Sequence, residues 1–228
     1  MKKIILYFFL LSVTTMFGQA TDAEQDAGLW TTLNLDKKLN DKFSIFYTQE
    51  FRLRENFSRI NLFYSELGVE IRPAKFLKVA LSYRNIQKNL IDDSYGIRHR
   101  FQLDITLRKK FGDFSLAYRH RLQRELRDMY VSETGMVPEW YSRSKFTLKY
   151  EVGKKFEPYI ATEIRYQIAD PRLEESDGTW HRIRYIAGFD YKLNDHSKFG
   201  MYGLVQNEFN VTTPQSIYIL GLEYTYSF

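Results

Sequence analysis

From Tyr218 to the final residue, every second side chain is large and apolar: Tyr218, Leu220, Leu222, Tyr224, Tyr226 and Phe228. The alternate positions hold Ile219, Gly221, Glu223, Thr225 and Ser227, which are mostly small or polar. A period of two puts these sets on opposite faces of one strand. At ~3.3 Å per residue and a tilt of ~40°, a strand over Ile217–Phe228 covers the ~25 Å apolar band of a transmembrane barrel. A half-buried strand of a sandwich shows the same alternation, so the rest of the chain has to decide between them.

Loop lengths favour the barrel. Asp41-Lys42-Phe43, Ala74-Lys75-Phe76, Gly112-Asp113-Phe114, Lys154-Lys155-Phe156 and Ser197-Lys198-Phe199 are short turns that each end in Phe, 33 to 43 residues apart. The connections between them are longer and more varied: Glu55–Ser58, Asn89–Gly96, Arg127–Trp140, Ala169–Thr179 and Val211–Gln215. Short turns at one end and long loops at the other are the outer-membrane pattern, with the short turns periplasmic. The recurrent Phe then forms one interfacial aromatic girdle, in keeping with 17 Tyr and 18 Phe in 228 residues. The intervening runs continue the alternation. Phe101, Leu103, Ile105 and Leu107 oppose Arg100, Gln102, Asp104 and Thr106; Phe114, Leu116, Tyr118 and Leu122 oppose Ser115, Ala117, Arg119, Arg121 and Gln123. Mean hydropathy is negative, as expected of strands that average over two faces.

The expected fold is therefore all-β: an antiparallel transmembrane barrel of about 10–12 strands over residues 21–228. Counting from Leu29–Asp36 gives eleven strands, whereas single-chain bacterial barrels carry even numbers. Either a further short strand makes twelve, or the first segment lies inside a ten-stranded barrel. Residues 1–20 read as a signal peptide: Lys2 and Lys3, an apolar run from Ile4 to Phe17, then Gly18-Gln19-Ala20. Cleavage after Ala20 or after Gly18 fits the small residues there. The formal charge of +5 falls to +3 without Lys2 and Lys3, a mild excess suited to acidic headgroups or anionic solutes. Export argues against nucleic acid as a partner, and the absence of Cys removes disulfides and thiolate metal sites. No cofactor motif is present.

The inward phase is dense in arginine: Arg98, Arg100, Arg119, Arg121, Arg143, Arg165, Arg182 and Arg184, interleaved with Glu50, Asp104, Glu125 and Glu163. One reading is an anion-attracting mouth in a narrow channel. The other is a lumen filled by paired charges, because a barrel of this size leaves little room after its side chains. His99, His120 and His181 fall in the outward, apolar phase near outer strand ends, which suits interfacial residues. A lipid-modifying barrel enzyme would need a nucleophile and an orienting group beside such a His, and no His-x-Ser spacing offers them. Non-enzymatic function is the expectation, with that enzyme, or a soluble periplasmic ligand-binding β-protein, as the alternatives.

Two resemblances add to this reading. The final strand, with Tyr224, Tyr226 and the terminal Phe228, resembles the C-terminal signal by which bacterial outer-membrane barrels are recognised for insertion. That likeness implies the barrel-assembly machinery and outer-membrane lipid as partners, in a Gram-negative bacterium. Gly28-Leu29-Trp30, Lys37-Lys38-Leu39 and Tyr47-x-x-Glu50-x-Arg52 resemble a family of uncharacterised exported bacterial proteins. That family is classed as a domain of unknown function and expected to form outer-membrane barrels. It implies the fold and no chemistry.

Overall fold

The computed structural model describes residues 24–90, 94–127, 138–171 and 174–228. The expected signal peptide, residues 91–93 of the Asn89–Gly96 connection and most of the 127–140 connection lie outside them. Eleven strands follow one another: β1 (Glu24–Lys38), β2 (Phe43–Arg54), β3 (Arg59–Ala74), β4 (Leu77–Asn89), β5 (Tyr95–Phe111), β6 (Phe114–Arg127), β7 (Glu139–Tyr150), β8 (Phe156–Ala169), β9 (Thr179–Lys192), β10 (Ser197–Glu208) and β11 (Gln215–Ser227). Each pairs with its chain neighbours, and β1 closes the barrel against β11.

All pairings are antiparallel except the closing one. With eleven strands alternating in direction, the first and last run the same way, so the seam has to be parallel. Its register runs from Glu24↔Gln215 to Asp36↔Ser227, and the Phe228 amide donates to the Asp36 carbonyl at 2.9 Å. Neither sequence-based alternative holds: no twelfth strand accompanies β1 among the described residues, and β1 is not a plug. It is a full member of the wall and starts at Glu24, five residues before the expected strand.

Local chemistry explains the tight turns. Asn40 accepts from the amides of Lys42 (2.9 Å) and Phe43 (3.0 Å), and Asn194 accepts from those of His196 (2.9 Å) and Ser197 (2.8 Å). These are the local Asn turns that replace missing ladder bonds. In the first of them, the Lys38 ammonium bonds Asp41 at 2.7 Å and holds that carboxyl below its ordinary range. Gly112 and Gly153 supply the positive φ, 58° and 64°, that their turns need. At the opposite rim, Glu55, Asn56 and Phe57 all have positive φ. The Asp26 carboxylate of β1 accepts from the amides of Glu55 (3.2 Å) and Asn56 (3.1 Å) and anchors that loop.

Two faces result. The outer wall exposes Leu67, Leu81, Phe101, Leu103, Ile105 and Leu107, with Phe43, Phe76, Phe114 and Phe156 exposed along the short-turn rim. The polar phase points inward around a cavity of 1390 Å³. Its lining extends from Asp26, Asn56 and Gln215 at the long-loop rim to Lys38, Ser44 and Ser227 at the short-turn rim.

Candidate functional site

The cavity wall is built from register. Arg121 of β6 pairs with Arg143 of β7, Arg143 with Arg165 of β8, and Arg165 with Arg182 of β9. Four arginines thus stand side by side on four neighbouring strands, ~4.8 Å apart. Like charges in such positions oppose folding, so each needs compensation. The ends of the row have it. Arg121 donates to both Asp104 oxygens at 2.6 Å and to Gln102 at 2.7 Å, while the Arg182 Nε donates to Glu208 at 3.0 Å. The middle does not. Arg143 reaches Glu163 only at 3.4 Å, and Arg165 lies over the Tyr141 ring at 4.5 Å with no carboxylate partner among the described residues.

The next row inward holds Arg119, Lys145, Glu163 and Arg184 in mutual register. Glu163 serves three arginines at once: Arg119 at 2.6 Å, Arg184 at 3.0 Å and Arg143 at 3.4 Å. Across both rows, six arginines and Lys145 face three carboxylates, Asp104, Glu163 and Glu208. Cationic charge is in excess on this side of the lumen.

The β2–β6 side is balanced by comparison. Glu125 takes Arg98 at 3.1 Å and the Arg100 Nε at 2.7 Å, and Arg127 meets Glu139 at 2.5 Å. The Arg84 Nε bonds Glu66 at 2.8 Å, and Gln102, 2% exposed, donates to Glu66 at 3.0 Å while accepting from Arg121. Glu50 pairs with Arg52 and accepts from Thr32 (3.0 Å) and Tyr64 (2.9 Å). All twelve residues singled out in the sequence line the cavity. They divide into a balanced set, Glu50, Arg98, Arg100 and Glu125, and the cation-rich set around Asp104, Arg119, Arg121, Arg143, Glu163, Arg165, Arg182 and Arg184.

A third part of the wall was not foreseen. Tyr159 (β8), Gly188 (β9), Tyr202 (β10), Gly221 (β11) and Trp30 (β1) form one register row that alternates aromatic and glycine. A Cβ on Gly221 would sit 2.0 Å from the Tyr202 ring, and one on Gly188 would sit 2.6 Å from the Tyr202 Cβ. The glycines make the space that the rings fill. Trp30, Tyr202, Leu204 and Ile219 form a buried apolar cluster, and Arg52 lies over the Trp30 ring at 3.6 Å. The sequence signal was available, since Gly188 and Gly221 sit in inward phase beside strands with inward aromatics. Nothing in one strand alone says which ring meets which glycine.

The histidines split. His99 faces outward and bonds the Tyr83 hydroxyl at 2.7 Å; His120 faces outward between Ser144 (3.4 Å) and Ser142 (3.5 Å). His181 does not follow its expected outward phase. A bulge opposite Arg165 and Tyr166 turns Trp180 out, and His181, 1% exposed, packs inward on the Tyr141 ring at 5.8 Å. Tyr224 and Tyr226 face outward on β11, Ser197 bonds the Tyr224 hydroxyl at 3.0 Å, and Phe228 stacks edge-on to Tyr226 at 4.9 Å. Among the described residues, no group of His, Asp and Glu could hold a metal ion.

This architecture is similar to that of known outer-membrane proteins. A bacterial polysaccharide outer membrane secretin matches with a TM-score of 0.52 and 12% identity over 78% of this chain. The match spans 62% of that chain's length. The NanC porin matches with a TM-score of 0.51 and 12% identity, covering 79% of this chain and 85% of the other. At such identity the likeness concerns the fold. No curated protein sequence matches. The sequence profile that does match, over residues 27–216, accounts for most of the barrel, and the chain belongs to the family it describes, protein of unknown function (DUF2490).

Proposed function

We propose that this protein is an outer-membrane channel, exported with loss of residues 1–20, whose lumen passes small anionic solutes. The observation that carries the reading is the arginine row Arg121–Arg143–Arg165–Arg182, in which Arg165 has no carboxylate partner among the described residues. A lumen filled for stability alone would neutralise that row, because uncompensated charge opposes folding. An excess of guanidinium facing a cavity lined from rim to rim instead lowers the energy of an entering anion. The apolar outer wall and its aromatic rim support placement in lipid. On this reading β11, with Tyr224, Tyr226 and the Phe228 that follows it, is the strand presented to the barrel-assembly machinery.

Passage is proposed rather than chemistry. Outward His120 has two serine neighbours and no carboxylate to orient it among the described residues, and His181 is closed in against Tyr141. The test is single-channel recording of refolded protein in a planar bilayer under a salt gradient. The expected reversal potential favours anions, and the Arg143→Gln/Arg165→Gln pair moves it toward zero. Folded protein that gives no discrete conductance would sink the channel. A reversal potential favouring cations would sink the anion preference.

A further inference from the structure

The outer wall carries a groove of its own. It encloses 260 Å³ between two register rows that cross β4 to β7, with the backbone at Gln102 as its floor. Leu81, Leu103 and Leu122 form one side; Phe101, Arg124 and Trp140 form the other. The groove slants. Trp140 is the second residue of β7 from the long-loop rim, whereas Leu81 is the fifth residue of β4 from the short-turn rim. Arg124 stands ten residues above Phe114, a rise of ~25 Å in a strand tilted by ~40°. The cation therefore sits at the outer interface, and the leucines run down from it into the apolar band.

Arg124 is unusual for this wall. The outward phase is otherwise apolar or uncharged away from the rims, yet Arg124 is exposed and has no ion-pair partner among the described residues. Its guanidinium lies 5.5 Å from the centre of the Trp140 ring, which holds it at the groove's upper end. A cation on a lipid face costs least at the interface and gains there from anionic headgroups.

We infer that this groove is a binding site for one anionic, acylated lipid of the surrounding leaflet, with its phosphate on Arg124 and one acyl chain along Leu122, Leu103 and Leu81. The inference rests on the reading that the wall faces lipid. It is independent of what passes through the lumen. Headgroup charge selects the lipid at Arg124, and the slanted leucine side gives its chain a path toward the bilayer centre.

Tryptophan quenching tests it. The mature chain is refolded into phosphatidylcholine vesicles containing an equal fraction of either brominated phosphatidic acid or brominated phosphatidylcholine. With Trp30, the third tryptophan, replaced by Phe throughout, a Trp180→Phe protein reports on Trp140, and a Trp140→Phe protein reports on Trp180, which faces outward on β9 away from the groove. The expected result is that Trp140 associates with the anionic lipid about fivefold more strongly than with the neutral one, the worth of one interfacial cation. Trp180 should show no such preference. Arg124→Gln should abolish the preference and Arg124→Lys should keep most of it, while excess glycerol phosphate in the buffer should leave it in place. Equal quenching of Trp140 by both lipids, or a preference that survives Arg124→Gln, overturns the site. Loss to soluble glycerol phosphate overturns the acyl-chain part of it. If no brominated lipid quenches either tryptophan, the lipid-facing wall itself is wrong.

Discussion

Glu163 is the residue on which the cation-rich wall depends most. One carboxylate accepts from Arg119, Arg143 and Arg184, so Glu163→Gln leaves one buried and two half-buried guanidiniums short of their counter-charge. Breaking a buried pair on one side costs about 3–5 kcal/mol, and the adjoining cavity places this case at the lower end. Urea unfolding from liposomes should therefore show a loss of about 3 kcal/mol; a loss under about 1 kcal/mol would mean the three arginines are compensated elsewhere. Gln102 has a different kind of importance. It accepts from Arg121 and donates to Glu66, joining the cation-rich and balanced sides, and it reads in the sequence as an ordinary inward polar residue. Gln102→Leu should cost about 1–3 kcal/mol by orphaning those partners, measurable in the same unfolding experiment. The inward position of each arginine was legible from phase alone. The division into balanced and unbalanced sets was not, because it depends on which strands stand side by side and at what register.

Strands behave as units with two faces, and a change of one residue in phase changes the expected outcome. Ile105→Arg places a charge on the outer face of β5 and, with that face in lipid as proposed, should destabilise the barrel by about 2–4 kcal/mol. Ala80→Arg places it inside, in register with Asp104 and Glu70, and should cost much less. Equal losses in liposome unfolding would contradict the assignment of faces. The aromatic–glycine row gives a second comparison. Gly221→Ala drives a methyl group into the Tyr202 ring and should cost about 1–3 kcal/mol, whereas Gly203→Ala, facing open space on the neighbouring strand, should be near neutral. Alternation and turn chemistry made most of these strands readable in advance, as in the runs from Arg100 to Leu107 and from Phe114 to Gln123. The bulge that turns His181 inward was not readable, since one extra residue leaves no mark in composition. Nor was the full length of β1, whose Gln25 and Asp26 look like a polar lead-in and serve instead as rim and loop anchor.

At the scale of the whole barrel, the parallel seam between β1 and β11 sets this molecule apart from an even-numbered barrel. It can be tested by cross-linking, because the chain has no cysteine of its own. Leu33→Cys with Tyr224→Cys occupies partners in register and should oxidise readily, while Leu33→Cys with Leu220→Cys, two turns of the pleat away, should not. Efficient linking of the second pair, or none in the first, would show that the barrel closes differently. Closure of this kind also decides where the ends of the wall lie. Glu24 opens β1 at the long-loop rim and Phe228 follows β11 at the short-turn rim, so a peptide joining them has to travel the full height of the barrel. Glu24 is level with Gln215, so Phe228 lies about 43 Å along the seam, and at ~3.3–3.6 Å per extended residue a circular permutant needs a bridge of at least roughly twelve to thirteen residues threaded through the lumen. In an even barrel a short loop along one rim would do, and a reporter fused at either end would emerge on the same side.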